Sequence, residues 1–416
     1  MKLQGEITLP GDKSISHRAA LFSAIREGES HFSHFSGNED CASTLSCLRA
    51  LGIQHEYDNG RLRIKGKKPQ DWRQPSEALY AGNSGTTTRL LSGLLANTSF
   101  ETVLTGDASL SQRPMERIIT PLSLMGARIE SARGRLPLRF FPTTGLKGIR
   151  YVLPVASAQI KSAVLLAGLF AEGTTEVVEN KASRDHTERM LGLPLREEEG
   201  QRIISVSGDF EVPDISMTIP GDISSAAFFI TAALIIPGSE LLIKNVSLNP
   251  TRTAFLNILQ NMGGQIEIET VREAPEPMGH IRVQSSELQN VEIPDDVIPN
   301  LIDEIPILAI AGARAVGRFR IKNARELRVK ESDRIKVMVE NFRRCGLQVE
   351  EFDDGFAFCG PHKLSGARVS TYGDHRIAMA FTIAGLHTDE ALQIDDPSCA
   401  SVSFPDFYST LESLIK

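Results

Sequence analysis

Several short polar clusters in this chain hold residue types that bind anions or carry protons. In GDKSISHR, Ser14 and Arg18 lie four apart, so they share one face at the start of a helix, with Lys13 just before them. Two cations and a hydroxyl beside a helix N-terminus suit a phosphate or a carboxylate, because free N–H groups and the helix dipole add to the side-chain charge. GNSGTTTR is similar: Gly82 and Gly85 let backbone N–H groups approach a ligand closely, and Arg89 follows. Arg113 stands before a proline in TGDASLSQRP. In LRVKESDR, Lys330 and Arg334 are again four apart, with Glu331 between two cations. A carboxylate so placed is either a proton carrier or half of a surface ion pair worth little. His375 and Arg376 in YGDHR, and Asp303 and Glu304 before IPILAIAGA, complete the set, with helix capping as the plain alternative for each.

What gives these clusters joint meaning is an internal repeat. A short turn leads directly into an apolar helix six times, beginning at Gly11, Gly82, Val155, Gly221, Leu301 and Gly373, a period of roughly 70 residues. The first and fourth copies share PGDxS, at Pro10 to Ser14 and Pro220 to Ser224, which divides the chain into two halves of three units. Runs such as TTTRLLSGLLA, AQIKSAVLLAGLFA and ISSAAFFITAALI are apolar on nearly every side and predict buried helices. Segments such as LRIKG, TTEVVE, RIISVSG, ELLIKNV and IRVQS predict strands between them, giving a mixed α/β unit. RIKVMVENFRRCG places Ile335, Met338, Val339 and Phe342 at amphipathic-helix spacing. His31 and His34 in SHFSHF predict a plain strand rather than a pair of metal ligands. Six helix N-termini pointing to one region between two halves would make that region an anion trap, holding Lys13, Arg18, Arg113, Lys330, Arg334 and Arg376 with Asp303 and Glu331. So many cations imply more than one anionic substrate.

Composition sets the limits. Lys and Arg number 45 against 52 Asp and Glu, a net charge of −7, which opposes binding to nucleic acid. No apolar run reaches the roughly 18 residues of a membrane span, and MKLQGEITLPGDKS has no apolar leader, so a soluble, unexported, cytoplasmic protein is expected. Five cysteines form no CxxC pair and predict free thiols, with neither a zinc site nor a disulfide framework.

LPGDKSISHRAALFSAI, GNSGTTTRLL, LTGDASLSQRPM, PVASAQIKSAVLLAGL, SRDHTERML, PGDISSAAFF, LRVKESDR and YGDHRIAMAF occur in order along the chain and together resemble the 3-phosphoshikimate 1-carboxyvinyltransferase (EPSP synthase) family. The resemblance implies a two-domain enolpyruvyl transferase fold with three βαβαββ repeats per domain, one domain spanning residues 1–10 and 221–416 and the other 11–220. It implies no metal and no organic cofactor, a monomer, and two substrates, shikimate 3-phosphate and phosphoenolpyruvate. Carried over by motif, Lys13, Ser14, Arg18, Ser157, Ala158, Gln159, Ser183, Arg184, Asp303 and Lys330 would hold shikimate 3-phosphate. Lys13, Gly85, Arg113, Gln159, Arg334, His375 and Arg376 would hold phosphoenolpyruvate. Asp303, Glu331 and Lys13 would handle protons. Ala158 replaces a second serine of the better-known pattern, Arg184 lies in a segment that differs there, and Val402 stands where that pattern has a lysine. These departures resemble a divergent branch that is often tolerant of glyphosate.

Among rivals, the UDP-N-acetylglucosamine enolpyruvyl transferases resemble this pattern but typically begin with Lys-Asn, where this chain has Lys13-Ser14. A P-loop phosphotransferase needs GxxxxGK[ST], which is missing. A noncatalytic anion sensor would explain the cations but has no use for Asp303 and Glu331.

Overall fold

A computed structural model of the chain describes residues 1–388 and 390–416. They fall into two compact units, Gly11–Ile219 and a discontinuous one made of Met1–Pro10 with Pro220–Lys416.

The unit Gly11–Ile219 contains three four-stranded sheets of one design, in which the first two strands are parallel and the third and fourth antiparallel. Their orders are Met217–Thr218, Gly28–Ser33, Arg61–Gly66, Gln54–Asp58; Leu79–Tyr80, Thr102–Thr105, Leu138–Phe140, Ile129–Ser131; and Arg150–Val152, Thr174–Glu179, Gln201–Ser207, Leu195–Glu198. In the discontinuous unit the pattern returns in Gln4–Thr8, Glu240–Ser247, Met278–Gln284 and Gln265–Arg272. The next copy keeps Gly317–Ile321, Gly355–Gly360 and Glu350–Phe352, with its parallel strand reduced to a bridge between Gln289 and Val316. The last is shorter still: Arg368–Val369 pairs with Gln393–Ile394, and the chain then enters the 3-10 turn Pro397–Val402 and the helix Phe407–Leu414.

The first strands reveal how the chain is threaded. Gln4–Thr8 pairs with Glu240–Ser247, whereas Gly28–Ser33 takes its parallel partner from Met217–Thr218. The opening sheet of each unit thus borrows an edge strand from a distant part of the sequence, and the chain crosses between units at Pro10 and near Pro220. Pro220 lies with the discontinuous unit, one residue from the expected division, because Gly221 N–H donates to Asn245 O at 2.7 Å and Asp222 N–H to Pro10 O at 2.9 Å, while Ile219 N–H still donates to Ser33 O.

Six buried helices follow the six turns: Lys13–Ile25, Gly85–Leu95, Ala158–Gly168, Ile223–Ile235, Ile305–Arg314 and His375–Gly385. The polar turn residues are largely caps. Asp12, Ser84, Ser157, Asp222 and Asp374 each accept a backbone N–H of their own helix's first turn, a contact worth about 1 kcal/mol. Glu304 caps nothing through its side chain. Behind the caps the helices form the core: every residue of Ile223–Ile235 is buried. Arg334–Arg344 is amphipathic, with Ile335, Met338, Val339 and Phe342 inward.

The strand expected over SHFSHF ends at Ser33. His34 has φ 60°, a left-handed turn held where its Nδ1 meets Ile219 O at 2.8 Å, so the strand stops before the last two residues of the segment, His34 and Phe35. All five cysteines are free, Cys359 alone among them exposed.

His17 is fully buried, with Nδ1 2.7 Å from Thr44 Oγ1, and desolvation, strengthened by Lys13 and Arg18 and opposed by Asp40, lowers its pKa from 6.5 to about 3. The unfolded chain therefore binds a proton that the folded one refuses as pH falls below 6.5, so stability declines from there toward pH 3 by up to ~1.4 kcal/mol per pH unit from this group. His17→Asn, which keeps an amide near Nδ1, is expected to flatten that slope by about one proton. Urea midpoints at pH 7, 6 and 5 check it; an unchanged slope would clear His17.

Candidate active site

In the unit Gly11–Ile219, Lys13 Nζ donates to Asp40 Oδ2 at 2.9 Å, and the half-buried Ser14 follows it. Arg18, only 3% exposed, is tied down on three sides: Nη1 to Ser14 O at 3.0 Å, Nε to Thr187 Oγ1 at 2.8 Å and Nη2 to Ser162 Oγ at 2.8 Å. The shared helix face read from the sequence is real, and it points a guanidinium into the fold rather than into solvent.

A second group gathers where the helix Gly85–Leu95 begins. A methyl group on Gly85 would lie 3.0 Å from Arg89 Nη1 and 3.5 Å from Arg113 Nη1, so two guanidinium groups flank this bare backbone. Arg113 Nη2 donates to Asn83 Oδ1 at 2.6 Å, and Asn83 Nδ2 in turn to Asp107 Oδ2 at 2.6 Å. Arg89 Nη1 donates to Gln159 Oε1 at 2.6 Å, and Gln159 Nε2 to Thr86 Oγ1 at 3.1 Å. Gly85, Arg113 and Gln159 are thus one cluster, with Arg89 as a member that the motif reading noticed but did not include.

Ser157 caps its helix through Ile160 N–H, and Ala158 and Gln159 open it. Ser183 is buried and gives both its N–H and its hydroxyl to Glu179 Oε1, while Arg184 beside it is half-buried. Behind them sits a group that escaped the sequence reading altogether. Lys161, with no exposed side-chain surface, lies 3.0 Å from Glu179 Oε2 and 2.6 Å from Glu188 Oε1.

The discontinuous unit has its own center. Arg334, 1% exposed, donates Nε to Asp374 Oδ2 at 2.8 Å, Nη2 to Glu331 Oε2 at 2.6 Å and Nη1 to Asp303 Oδ1 at 3.3 Å. Arg376 adds Nη1 to Asp303 O at 3.2 Å, with Nε 3.8 Å from Asp303 Oδ1. Burial alone would lower the Arg334 pKa, but the three carboxylates reverse that and hold it well above the ordinary arginine value. Burial likewise pushes Asp374 up, and the Arg334 charge wins and holds it below the usual carboxylate range. Lys330 is pushed down by desolvation, only partly offset by Asp303, Glu331 and Glu326. His375, 3% exposed, opens the last buried helix behind the Asp374 cap. Val402 ends the turn Pro397–Val402. Two proton-carrying candidates, Asp303 and Glu331, therefore share a permanently charged guanidinium, an arrangement suited to moving protons beside an anion.

The family model for EPSP synthase (3-phosphoshikimate 1-carboxyvinyltransferase) matches residues 1–411. The chain belongs to the EPSP synthase family. The 3-phosphoshikimate 1-carboxyvinyltransferase of Salinibacter ruber is 50% identical over 414 residues, covering 98% of this chain and 96% of that protein. That of Alkaliphilus metalliredigens is 48% identical over 420 residues, covering 100% and 98%. Among solved structures, an EPSP synthase from Acinetobacter baumannii superposes with a TM-score of 0.87 at 42% identity, covering 99% of this chain and 96% of that one. The enolpyruvyl transferase NikO from Streptomyces tendae, at 16% identity and a TM-score of 0.75, shares the fold. Among the described residues, no helix is long and apolar enough to cross a membrane.

Proposed function

We propose that the clusters around the helix N-termini carry the reaction of the EPSP synthase family on this chain, with the residue roles given below. The enzyme transfers the carboxyvinyl group of phosphoenolpyruvate to the 5-hydroxyl of shikimate 3-phosphate and releases phosphate. Lys13, Ser14, Arg18, Ser157, Ala158, Gln159, Ser183, Arg184, Asp303 and Lys330 bind shikimate 3-phosphate; Lys13, Gly85, Arg113, Gln159, Arg334, His375 and Arg376 bind phosphoenolpyruvate. The acceptor hydroxyl loses its proton, with Asp303 as base, and its oxygen bonds to C2 of phosphoenolpyruvate as the methylene carbon gains a proton. The tetrahedral ketal phosphate then loses a proton from that carbon as the C–O bond to phosphate breaks. Glu331 and Lys13 transfer protons at the methylene and the oxygen. Fixed cations stabilise the carboxylate and phosphate charges of the intermediate without reorganising at the moment of reaction. The enzyme is a monomer of the cytoplasm on this reading and needs no cofactor.

The observation that best supports these roles is Arg334 bonded at once to Asp303 and Glu331, since it joins an anion anchor to both proposed proton carriers. The test is phosphate release from phosphoenolpyruvate with shikimate 3-phosphate as acceptor, set against UDP-N-acetylglucosamine. Turnover with only the nucleotide sugar would overturn it.

A second measurement addresses the phosphoenolpyruvate roles. The methyl added by Gly85→Ala would lie 3.0 Å from Arg89 Nη1, close enough to shift that guanidinium, and in ordinary contact with Arg113 Nη1 at 3.5 Å. Displacing a guanidinium at an anion site by this contact costs ~1–2 kcal/mol of binding, so KM for phosphoenolpyruvate is expected to rise roughly 5-fold to 30-fold. Glyphosate, a longer anion competing for the same space, should lose more affinity than phosphoenolpyruvate. Titrating wild type and variant with glyphosate at several phosphoenolpyruvate concentrations decides it. Noncompetitive inhibition, or an unchanged affinity ratio, would remove Gly85 from this pocket.

A further inference from the structure

The Lys161 cluster has no part in the reaction as written, yet it is the most deeply buried group of charges in the unit Gly11–Ile219. Lys161, Glu179 and Glu188 have side-chain exposures of 0%, 0% and 5%. Buried ion pairs contribute little net stability, because desolvation consumes most of the Coulomb gain, so stability alone gives no reason for such a group.

Its contacts give one. Glu179 uses its two oxygens differently: Oε2 receives Lys161 Nζ at 3.0 Å, and Oε1 receives both the N–H of Ser183, at 3.2 Å, and the Ser183 hydroxyl. A serine at the end of a loop otherwise has free choice of rotamer and hydroxyl direction. Here one carboxylate oxygen sets both the backbone and the side chain of that residue, and the lysine sets the carboxylate. On the other side, Lys161 Nζ holds Glu188 Oε1 at 2.6 Å, and the residue after Lys161 and the one before Glu188 repeat the link, Ser162 Oγ lying 2.6 Å from Thr187 Oγ1. Those two hydroxyls are the ones that receive Arg18 Nη2 and Nε.

We propose that Glu179, oriented by Lys161, is a positioning residue for the 3-phosphate of shikimate 3-phosphate, setting Ser183, while the adjoining Lys161–Glu188 pair aligns the hydroxyls that set Arg18. The inference rests on Ser183 and Arg18 being ligands of that substrate. Lys161 also offsets the field of the two carboxylates, assisted by Arg202 with Nη1 3.9 Å from Glu179 Oε2, so an anion nearby meets little net repulsion.

Two variants separate positioning from charge. In Glu179→Gln the amide turns its oxygen to the Lys161 ammonium, so its NH₂ group faces the Ser183 N–H, donor against donor, and the serine is displaced. Glu179→Asp keeps the charge for Lys161 but is one methylene too short to span Lys161 and Ser183 together. Positioning predicts that both raise the Kd and KM for shikimate 3-phosphate roughly 10-fold to 100-fold, the scale of a displaced binding group, with KM for phosphoenolpyruvate changed less than about 2-fold. A pure field effect predicts the opposite sign for Glu179→Gln, since removing a negative charge favours a phosphate, and no change for Glu179→Asp. Calorimetric titration of shikimate 3-phosphate and steady-state kinetics are run on the full chain, with thermal unfolding confirming a folded sample; if one variant fails to fold, the other still decides. Ser183→Ala is the control on the underlying reading. If Ser183→Ala leaves the affinity for shikimate 3-phosphate unchanged, the ligand role of Ser183 is wrong. If Ser183→Ala weakens it while the Glu179 variants do not, the ligand role stands and the positioning inference falls.

Discussion

Glu331→Gln is expected to lower kcat by at least about 100-fold, the usual contribution of a general acid–base group, while the affinity for shikimate 3-phosphate changes less than roughly 3-fold. The substitution preserves shape, and the amide oxygen can still accept the Arg334 Nη2 bond that the carboxylate accepts at 2.6 Å. What it removes is the ability to exchange a proton. The fold should tolerate the loss of charge, because Arg334 keeps Asp374 at 2.8 Å and Asp303 at 3.3 Å. The side chain is also 23% exposed, so a substrate can reach it without prior rearrangement of the core. Single-turnover rates together with ligand titration separate chemistry from binding. Near-normal turnover would reduce Glu331 to a structural partner of Arg334.

Lys161→Met should produce the largest loss of stability of any substitution considered. It leaves Glu179 and Glu188 buried without the ammonium that lies 3.0 and 2.6 Å from them, and breaking a buried pair in this way costs ~3–5 kcal/mol. For a unit of this size that corresponds to a drop in Tm of about 6–20 °C. The complementary experiment neutralises the partners as well: Lys161→Met combined with Glu179→Gln and Glu188→Gln removes these three charges and should recover part of the loss, since a buried amide without a partner costs less than a buried carboxylate without one. Calorimetry or urea unfolding of the two variants reads the difference directly. If the single substitution costs less than about 1 kcal/mol, the carboxylates find other compensation and the cluster is not the linked unit described above.

Much of the fold was legible because its signals are local. An Asp or Ser cap before an apolar run announces a helix within a few residues of chain, and Asp12, Ser84, Ser157, Asp222 and Asp374 each do so. The repeat of that signal is a property of the sequence itself, and so is the placement of Lys13, Gly85, Arg334 and Arg376 at helix starts, where free N–H groups attract anions. The amphipathic helix Arg334–Arg344 followed from spacing alone. The strand expected over SHFSHF runs two residues too far, because a left-handed turn at His34 is fixed by Ile219, far away in sequence.

The sequence by itself therefore determined the repeated α/β units, their helix starts and most of the residues proposed for the site. Only the tertiary structure decided which strands close which sheets, since Met217–Thr218 is two residues long and its pairing with Gly28–Ser33 reflects no local preference. It alone also revealed the role of Lys161, a single lysine in the apolar run AQIKSAVLLAGL, because its partners Glu179 and Glu188 stand 18 and 27 residues along the chain. Arg334 is the same case in the other unit, because its partner Asp374 is 40 residues distant. Buried charges are stabilised by opposite charges brought close by packing, and packing is a property of the folded chain, whereas caps and periodicity act between neighbours and can be read before folding.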